Sequence, residues 1–299
     1  MNQTPKVILG VLLLLVVLGI VFMTFKSVSE PLPVPIAEPK KEVITVKPTP
    51  TSTRTIIGRS AQNREISALT FGTGETNILL VGGIHGGYEW NSVVLAYEMI
   101  DYFETNPIAI PEEVTVHIIP NLNPDGLFLA TGLQGKFSAS DIPNNDMHNS
   151  GVGRFNANDV DINRNFDCRW AESGVWRGKE VSAGSAPFSE PEAVALRDYV
   201  NSIKPKATIF WHSKAGNVYG SECGGEVADK TLTLMRTYAN ASGYGQVPVF
   251  DAYVVTGAAE DWLASLGIPT VSVELTSRTD SEYEQNLAGV KAVLDLYGK

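Results

Sequence analysis

Residues 77–103 read NILLVGGIHGGYEWNSVVLAYEMIDYF, and this stretch decides the fold class. Asn77 to Gly83 is a short apolar run closed by glycines, the pattern of a buried strand. From Asn91 to Phe103 the apolar residues recur at helical spacing. The same alternation returns along the chain. Val114 to Pro120 (VTVHIIP) reads as a strand closed by proline, and Ala207 to Ser213 (ATIFWHS) as another apolar strand. Ser189 reads as a helix cap, with Glu192 completing a capping box and Pro191 suited to the first turn. Ala258 to Leu266 reads as a helix, Ile268 to Leu275 (IPTVSVEL) as a strand, and Ser281 to Tyr297 as a closing helix. Strands and helices in this order predict an α/β domain with a mixed, mostly parallel central sheet and helices on both faces. Chemistry in such sheets gathers at the carboxyl ends of the strands. His85, His212 and Glu274 all fall there.

Upstream of Arg54 the composition is different. Val7 to Phe25 is an uncharged apolar run flanked by Lys6 and Lys26. As a helix it is about 28 Å long, close to the ~30 Å hydrocarbon core of a bilayer. It is long for a signal peptide and lacks a small-residue cleavage site. Residues 1–26 are therefore expected to be an uncleaved signal anchor, a cleaved secretory signal being the rival. Residues 27–53 carry Pro31, Pro33, Pro35, Pro39, Pro48 and Pro50. They are expected to form an extended linker with a reach of roughly 80 Å. Residues 54–299 make up the folded domain. With 43% apolar and 19% charged residues the chain supports a sizeable core. A net charge of -10 without a basic run argues against nucleic acid as a partner. Cys168 and Cys223 are too few to serve as a disulfide scaffold.

The four histidines are His85, His117, His148 and His212. A catalytic zinc commonly takes two His and one carboxylate, leaving a position open for water. His85 leaves a strand between glycines, Glu89 enters the following helix, and His212 ends a distant strand. By itself the His85–Glu89 pair is a weak signal, and a strand-end histidine satisfied by backbone is the plainer alternative.

Further segments raise its weight. They are Ile57-Gly58-Arg59-Ser60, Gly82-Gly83-Ile84-His85, Asn121-Leu122-Asn123-Pro124-Asp125-Gly126, Val160-Asp161-Ile162-Asn163-Arg164-Asn165-Phe166, Pro187-Phe188-Ser189-Glu190-Pro191-Glu192, Trp211-His212-Ser213 and Val273-Glu274-Leu275. In this order, over Thr55 to Lys299, they resemble the zinc metallocarboxypeptidases, the family of carboxypeptidases A and B. The whole chain looks like a membrane-anchored, bacterial-type member. The resemblance implies one Zn²⁺ held by His85, Glu89 and His212, with Glu274 as general base and Arg154 stabilising the oxyanion. It also implies Asn163 and Arg164 as the clamp on a substrate's terminal carboxylate, Tyr253 as the mobile tyrosine over the substrate, and Glu260 at the floor of the specificity pocket, where an acid suits basic C-terminal side chains. One departure stands out: the family spaces its first ligands as His-x-x-Glu, whereas here the spacing is His-x-x-x-Glu. The extra glycine in Gly86-Gly87 is expected to be absorbed as a local bulge. His117 is read as a sheet residue and His148 as a surface residue. Cys168 and Cys223 both lie in segments that approach the implied site, so a disulfide is expected, two free thiols being the alternative. Such a bond persists only in an oxidising compartment, which agrees with an extracytoplasmic domain.

Three functions follow in order of expectation. The first is a zinc carboxypeptidase acting on peptides. The second is a peptidase of murein stem peptides, whose diaminopimelate offers a carboxylate to Arg164 and an amine to Glu260. The third is a membrane-anchored peptide-binding module that lost its metal through the altered spacing.

Overall fold

A computed structural model describes residues 52–143 and 150–299. The anchor, nearly all of the linker and His148 lie outside the described residues. No described helix is long and apolar enough to cross a membrane.

The centre of the fold is an eight-stranded sheet. In chain order its strands are β1 (Thr53–Arg59), β2 (Glu65–Gly72), β3 (Thr76–Val81), β4 (Val114–Ile119), β7 (Ala207–Ser213), β8 (Asn217–Gly220), β9 (Gly245–Val247) and β10 (Thr270–Leu275). A separate hairpin joins β5 (Ser173–Trp176) to β6 (Lys179–Ser182). The spatial order is β1-β2-β4-β3-β7-β10-β8-β9. The inner strands β4, β3, β7 and β10 are all parallel, while β1 and β2 on one side and β8 on the other pair antiparallel. The sheet is thus mixed with a parallel centre, as the sequence predicts.

Among the described residues six α-helices accompany it: α1 (Trp90–Thr105), α2 (Pro124–Thr131), α3 (Pro191–Ile203), α4 (Asp229–Ser242), α5 (Ala259–Ser265) and α6 (Tyr283–Tyr297). Alternation along the strands divides the core into two layers. Leu80, Ile118, Ile209, Trp211, Val271 and Val273 face one layer, with α1, α4 and α6 supplying Met99, Phe103, Leu234, Tyr238, Val290 and Val293. Leu79, Val81, Ile119 and Phe210 face the other, covered by Leu196 and Val200 of α3 and by Trp262 and Leu263 of α5. A buried polar chain ties the first layer together. The Trp211 indole donates to the Tyr238 hydroxyl at 3.0 Å, which donates to Asn286 Oδ1 at 2.6 Å. With each donor satisfied, the chain fixes one arrangement of β7, α4 and α6.

Helix α1 has no internal proline or glycine and stops at Asn106, because Pro107 disfavours helical geometry in the residue before it. Helix α3 begins at Pro191, as expected, but its capping is different. Glu190 is the N-cap residue and makes no side-chain cap bond. Ser189 donates to Glu190, and the Glu192 carboxylate accepts from the Ala61 amide and from Asn156. The capping box expected at Ser189 is absent because distant donors claim Glu192.

Candidate metal centre

The site sits at the carboxyl ends of the neighbouring strands β3, β7 and β10. After β3 the chain passes Gly82-Gly83-Ile84 and delivers His85. Gly86–Glu89 then forms a single 3-10 turn that runs into α1. The extra glycine is therefore wound into a helical turn and not into a bulge. Glu89 occupies the N-cap position of α1, yet its carboxylate makes no capping bond and is turned toward the imidazoles. His212 is the penultimate residue of β7, and the parallel register sets Glu274 of β10 directly beside it.

His85 Nδ1 lies 3.1 Å from Glu89 Oε1, and His212 Nδ1 lies 3.1 Å from Glu89 Oε2 and 3.3 Å from His85 Nδ1. All three side chains are buried, and one donor atom from each lies within 4.8 Å of the others. Two imidazole nitrogens and a carboxylate converging on one point are the donor set of a single catalytic zinc ion. The cluster fits that ion electrostatically. Burial alone would raise the Glu89 carboxyl, but His85 and His212 hold it well below the usual carboxylate range. Burial would lower His212, but the carboxylates of Glu260 and Glu89 carry it well above the ordinary imidazole range. The carboxylates thus favour positive charge at the point where the three donor atoms converge.

The other expected residues fall around this point. His85, Glu89, Arg154, Asn163, Arg164, His212, Tyr253, Glu260 and Glu274 all line one cavity of 690 Å³. Glu274 is pushed up to about 7, first by burial and then by the negative charge of Glu89. Arg154 is buried and directs Nε and one amino group onto Asp161 Oδ2 at 3.1 and 2.8 Å, while its other amino group lies 3.9 Å from Glu89. Its guanidinium packs 4.8 Å over the Trp176 ring. Arg164 is buried, donates to the Asn163 carbonyl at 2.6 Å, and keeps Nε without a partner among the described residues. Asn163 accepts from the Ala259 amide at 2.8 Å and reaches Glu260 at 3.4 Å. Tyr253 is exposed on the loop before α5, its ring 4.8 Å from Phe250. Glu260 Oε1 lies 2.6 Å from His212 Nε2. The structure joins Cys168 to Cys223, with Cα atoms 5.8 Å apart. It places His117 in β4, away from the site.

Asp161 carries a role that the sequence reading left unassigned. Its carboxylate accepts from Arg154 and the Asn163 amide and lies 3.6 Å from His85 Nε2. Burial would raise it, but Arg154 and Arg164 hold it well below the usual range. Its only sequence signal was its position at the head of the Asp161-Ile162-Asn163-Arg164 segment.

The family model for zinc carboxypeptidases, Peptidase_M14, matches residues 43–286. The chain belongs to the zinc carboxypeptidase family. It is 29% identical over 242 residues to zinc carboxypeptidase A 1 of Anopheles gambiae, covering 73% of this chain and 53% of that protein. It is 25% identical over 249 residues to gamma-D-glutamyl-L-diamino acid endopeptidase 1 of Lysinibacillus sphaericus, covering 76% and 61%. The chain thus spans less than two thirds of the length of these relatives. Among solved structures, bovine thrombin-activatable fibrinolysis inhibitor in complex with tick carboxypeptidase inhibitor aligns with a TM-score of 0.64 at 19% identity, covering 83% of this chain and 88% of that one. Murein-tripeptide amidase from Escherichia coli O157 aligns with a TM-score of 0.54 at 22% identity, covering 82% and 92%. At these identities the solved structures speak for the fold. For a zinc carboxypeptidase, the longer interval between His85 and Glu89 leaves the donor set intact.

Proposed function

We propose that this zinc carboxypeptidase hydrolyses the terminal peptide bond of peptides with a free C-terminus, tethered outside the cytoplasm by its N-terminal apolar segment. The carrying observation is the β7–β10 register, which sets the Glu274 carboxyl beside the metal ligand His212 in one cavity with Arg164. When bound, zinc polarises the scissile carbonyl and acidifies a water molecule. Glu274 takes the proton of the attacking water and passes it to the leaving amine. Burial, the first cause of its raised pKa, moves this carboxyl toward the neutral range in which both transfers are possible. Arg154, held in place by Asp161, faces the developing oxyanion with fixed positive charge. Arg164 grips the terminal carboxylate with its planar fork, Asn163 assists, and Tyr253 covers the bound residue.

The cavity wall bears on specificity. Glu222, Asp251 and Asp261 line it beside Arg169, and they favour a basic C-terminal side chain. The second reading is a peptidase of murein stem peptides. Arg169 lies 3.3 Å from Glu222 and 3.1 Å from Asp261. A wall bearing both charges suits a diamino acid whose side chain carries an amine and a carboxylate. The likeness to a diamino acid endopeptidase agrees with this reading. Placement outside the cytoplasm is supported by the Cys168–Cys223 bond, which persists where the surroundings are oxidising.

The test is metal removal combined with Glu274→Gln. Chelation should abolish hydrolysis of C-terminal Lys peptides and zinc should restore it. Glu274→Gln should bind one zinc yet lose about 10²–10⁴-fold in kcat. Full turnover by the metal-free protein would overturn the proposal, and full turnover by Glu274→Gln would remove Glu274 as the base. Offering stem peptides beside Lys peptides separates the two substrate readings.

A further inference from the structure

Each imidazole at the metal centre has one nitrogen facing Glu89 and the other facing a second carboxylate. Behind His85 stands Asp161, with 3.6 Å between Nε2 and Oδ1. Behind His212 stands Glu260, with only 2.6 Å between Nε2 and Oε1. Glu260 belongs to the first turn of α5 and is buried. The same Oε1 lies 3.4 Å from Asn163 Nδ2 and 3.3 Å from the Ser272 hydroxyl. Three donors thus converge on one oxygen. Asn163 is itself anchored through Oδ1 to the Ala259 amide, the residue next to Glu260.

Given the zinc site on which this rests, we propose that Glu260 is a positioning residue for the metal ligand His212. The carboxylate accepts the Nε2 proton, fixes the tautomer whose Nδ1 lone pair faces Glu89 and His85, and holds the ring plane. A hydrogen bond from a histidine ligand to a carboxylate orients the ring and raises its basicity, and the short distance here marks a charge-assisted bond. The resemblance to the family pointed instead to a pocket floor that meets the substrate's side chain. An ammonium arriving there would compete with His212, Asn163 and Ser272 for the same oxygen. Of the wall's other carboxylates, Glu222 and Asp261 already pair with Arg169 at 3.3 and 3.1 Å, which leaves Asp251 to meet a cation. Asn163 in turn holds Glu260, so this residue, expected beside the carboxylate clamp, also belongs to the support of the metal ligand.

The experiment compares Glu260→Ala, Glu260→Asp and Glu260→Gln in the full-length protein. Zinc affinity is measured by competition with a chromogenic chelator, and ligand geometry by the visible absorption of the cobalt(II) form. Hydrolysis of C-terminal Lys and Leu peptides is followed at saturating zinc. Glu260→Ala should weaken zinc binding 10- to 100-fold and shift the cobalt bands. Glu260→Asp keeps the charge but falls short of Nε2, and should lose affinity similarly. Glu260→Gln keeps an acceptor oxygen but not the charge and should fall between the wild type and Glu260→Ala. The Lys-to-Leu ratio should be the same in all three. Wild-type zinc affinity and an unchanged cobalt spectrum in both Glu260→Asp and Glu260→Ala would overturn the proposal. So would a collapse of the Lys preference with metal binding intact, which would return Glu260 to the pocket floor. If Glu260→Ala does not fold, Glu260→Asp and Glu260→Gln decide alone. Failure of the wild-type protein to bind zinc would sink the zinc reading, a result distinct from any of these.

Discussion

Gly86→Ala probes the one place where this chain departs from the family's ligand spacing. Gly86 has φ +46°, and a methyl group built there would lie 2.7 Å from the Gly153 carbonyl oxygen, 2.8 Å from the Leu127 amide and 2.9 Å from the Asn123 carbonyl oxygen. All three are backbone atoms, so no side-chain rotation relieves the overlap. Left-handed geometry costs a residue with a Cβ about 1–2 kcal/mol, and overpacking against fixed atoms about 1–3 kcal/mol. The substitution should therefore cost about 2–5 kcal/mol, divided between destabilising the fold and pushing the turn between His85 and Glu89 outward. Gly132→Ala is the control. Gly132 has φ +71° but no atom of the described residues within 4 Å of its would-be methyl, so it should show the conformational cost alone, ~1–2 kcal/mol. Urea unfolding of the metal-free proteins measures the first share, and zinc titration measures the second, at tenfold in affinity per ~1.4 kcal/mol. If Gly86→Ala matched Gly132→Ala in stability and the wild type in zinc affinity, the claim that the 3-10 turn packs against Gly153 and α2 would be wrong.

Arg164→Lys should keep the positive charge but lose the two-pronged grip on a terminal carboxylate. Its kcat/KM for peptides with a free C-terminus should fall on the order of 100-fold, within the ~2–5 kcal/mol typical of a disrupted buried charge pair, while slow cleavage of C-terminally amidated analogues should not change. An equal loss on both substrates would mean that Arg164 does not bind the carboxylate. His117 offers a pH test of stability. Burial lowers it to about 4, and its neighbours suit a neutral ring, with Nε2 3.0 Å from Asn77 Oδ1 and Nδ1 2.8 Å from the Tyr199 hydroxyl. The folded pKa lies below the unfolded value, so this contribution is complete above pH ~6.5 and shrinks as pH falls toward 4, by about 3 kcal/mol in all. Urea midpoints of wild type and His117→Gln across that window should converge at low pH, and parallel curves would contradict the assignment.

The parts of the fold that the sequence revealed are those whose burial is local and periodic. Strand β7 runs from Ala207 to Ser213 as read, every residue of it buried. Helix α1 could be read because its apolar residues keep helical spacing and a proline ends it. The edges could not be read in the same way. Strand β1 (TRTIIGR) is largely exposed, and β9 is only three residues long, so neither carries an apolar run. Helix α4 carries a fainter signal, with Leu234, Met235 and Tyr238 buried at helical spacing among polar neighbours. At the site, residues matching a family segment could be placed in advance. Contacts between segments could not. The Glu260–His212 bond spans 48 positions and the Asp161 contact with His85 joins two separate loops. No periodicity encodes either.

Charge balance explains why the inner site is built from so many acids. Four carboxylates surround the two imidazoles: Glu89, Asp161, Glu260 and Glu274. Three arginines of the same cavity, Arg154, Arg164 and Arg278, offset part of that charge. The carboxylates still outnumber the arginines, so the cluster keeps an excess of negative charge. Buried charge without compensation is costly, so when no ion is present the deficit must be met by protons. Two of the shifts run in that direction. His212 is carried well above the ordinary range by the carboxylates of Glu260 and Glu89, and Glu274 is pushed up to about 7 by burial and by Glu89. A divalent ion at this point supplies the positive charge that the carboxylates favour at His212 and relieves the part of the Glu274 shift that comes from Glu89. That excess of buried negative charge is the physical reason to expect His85, Glu89 and His212 to act as a metal centre and not as a structural knot.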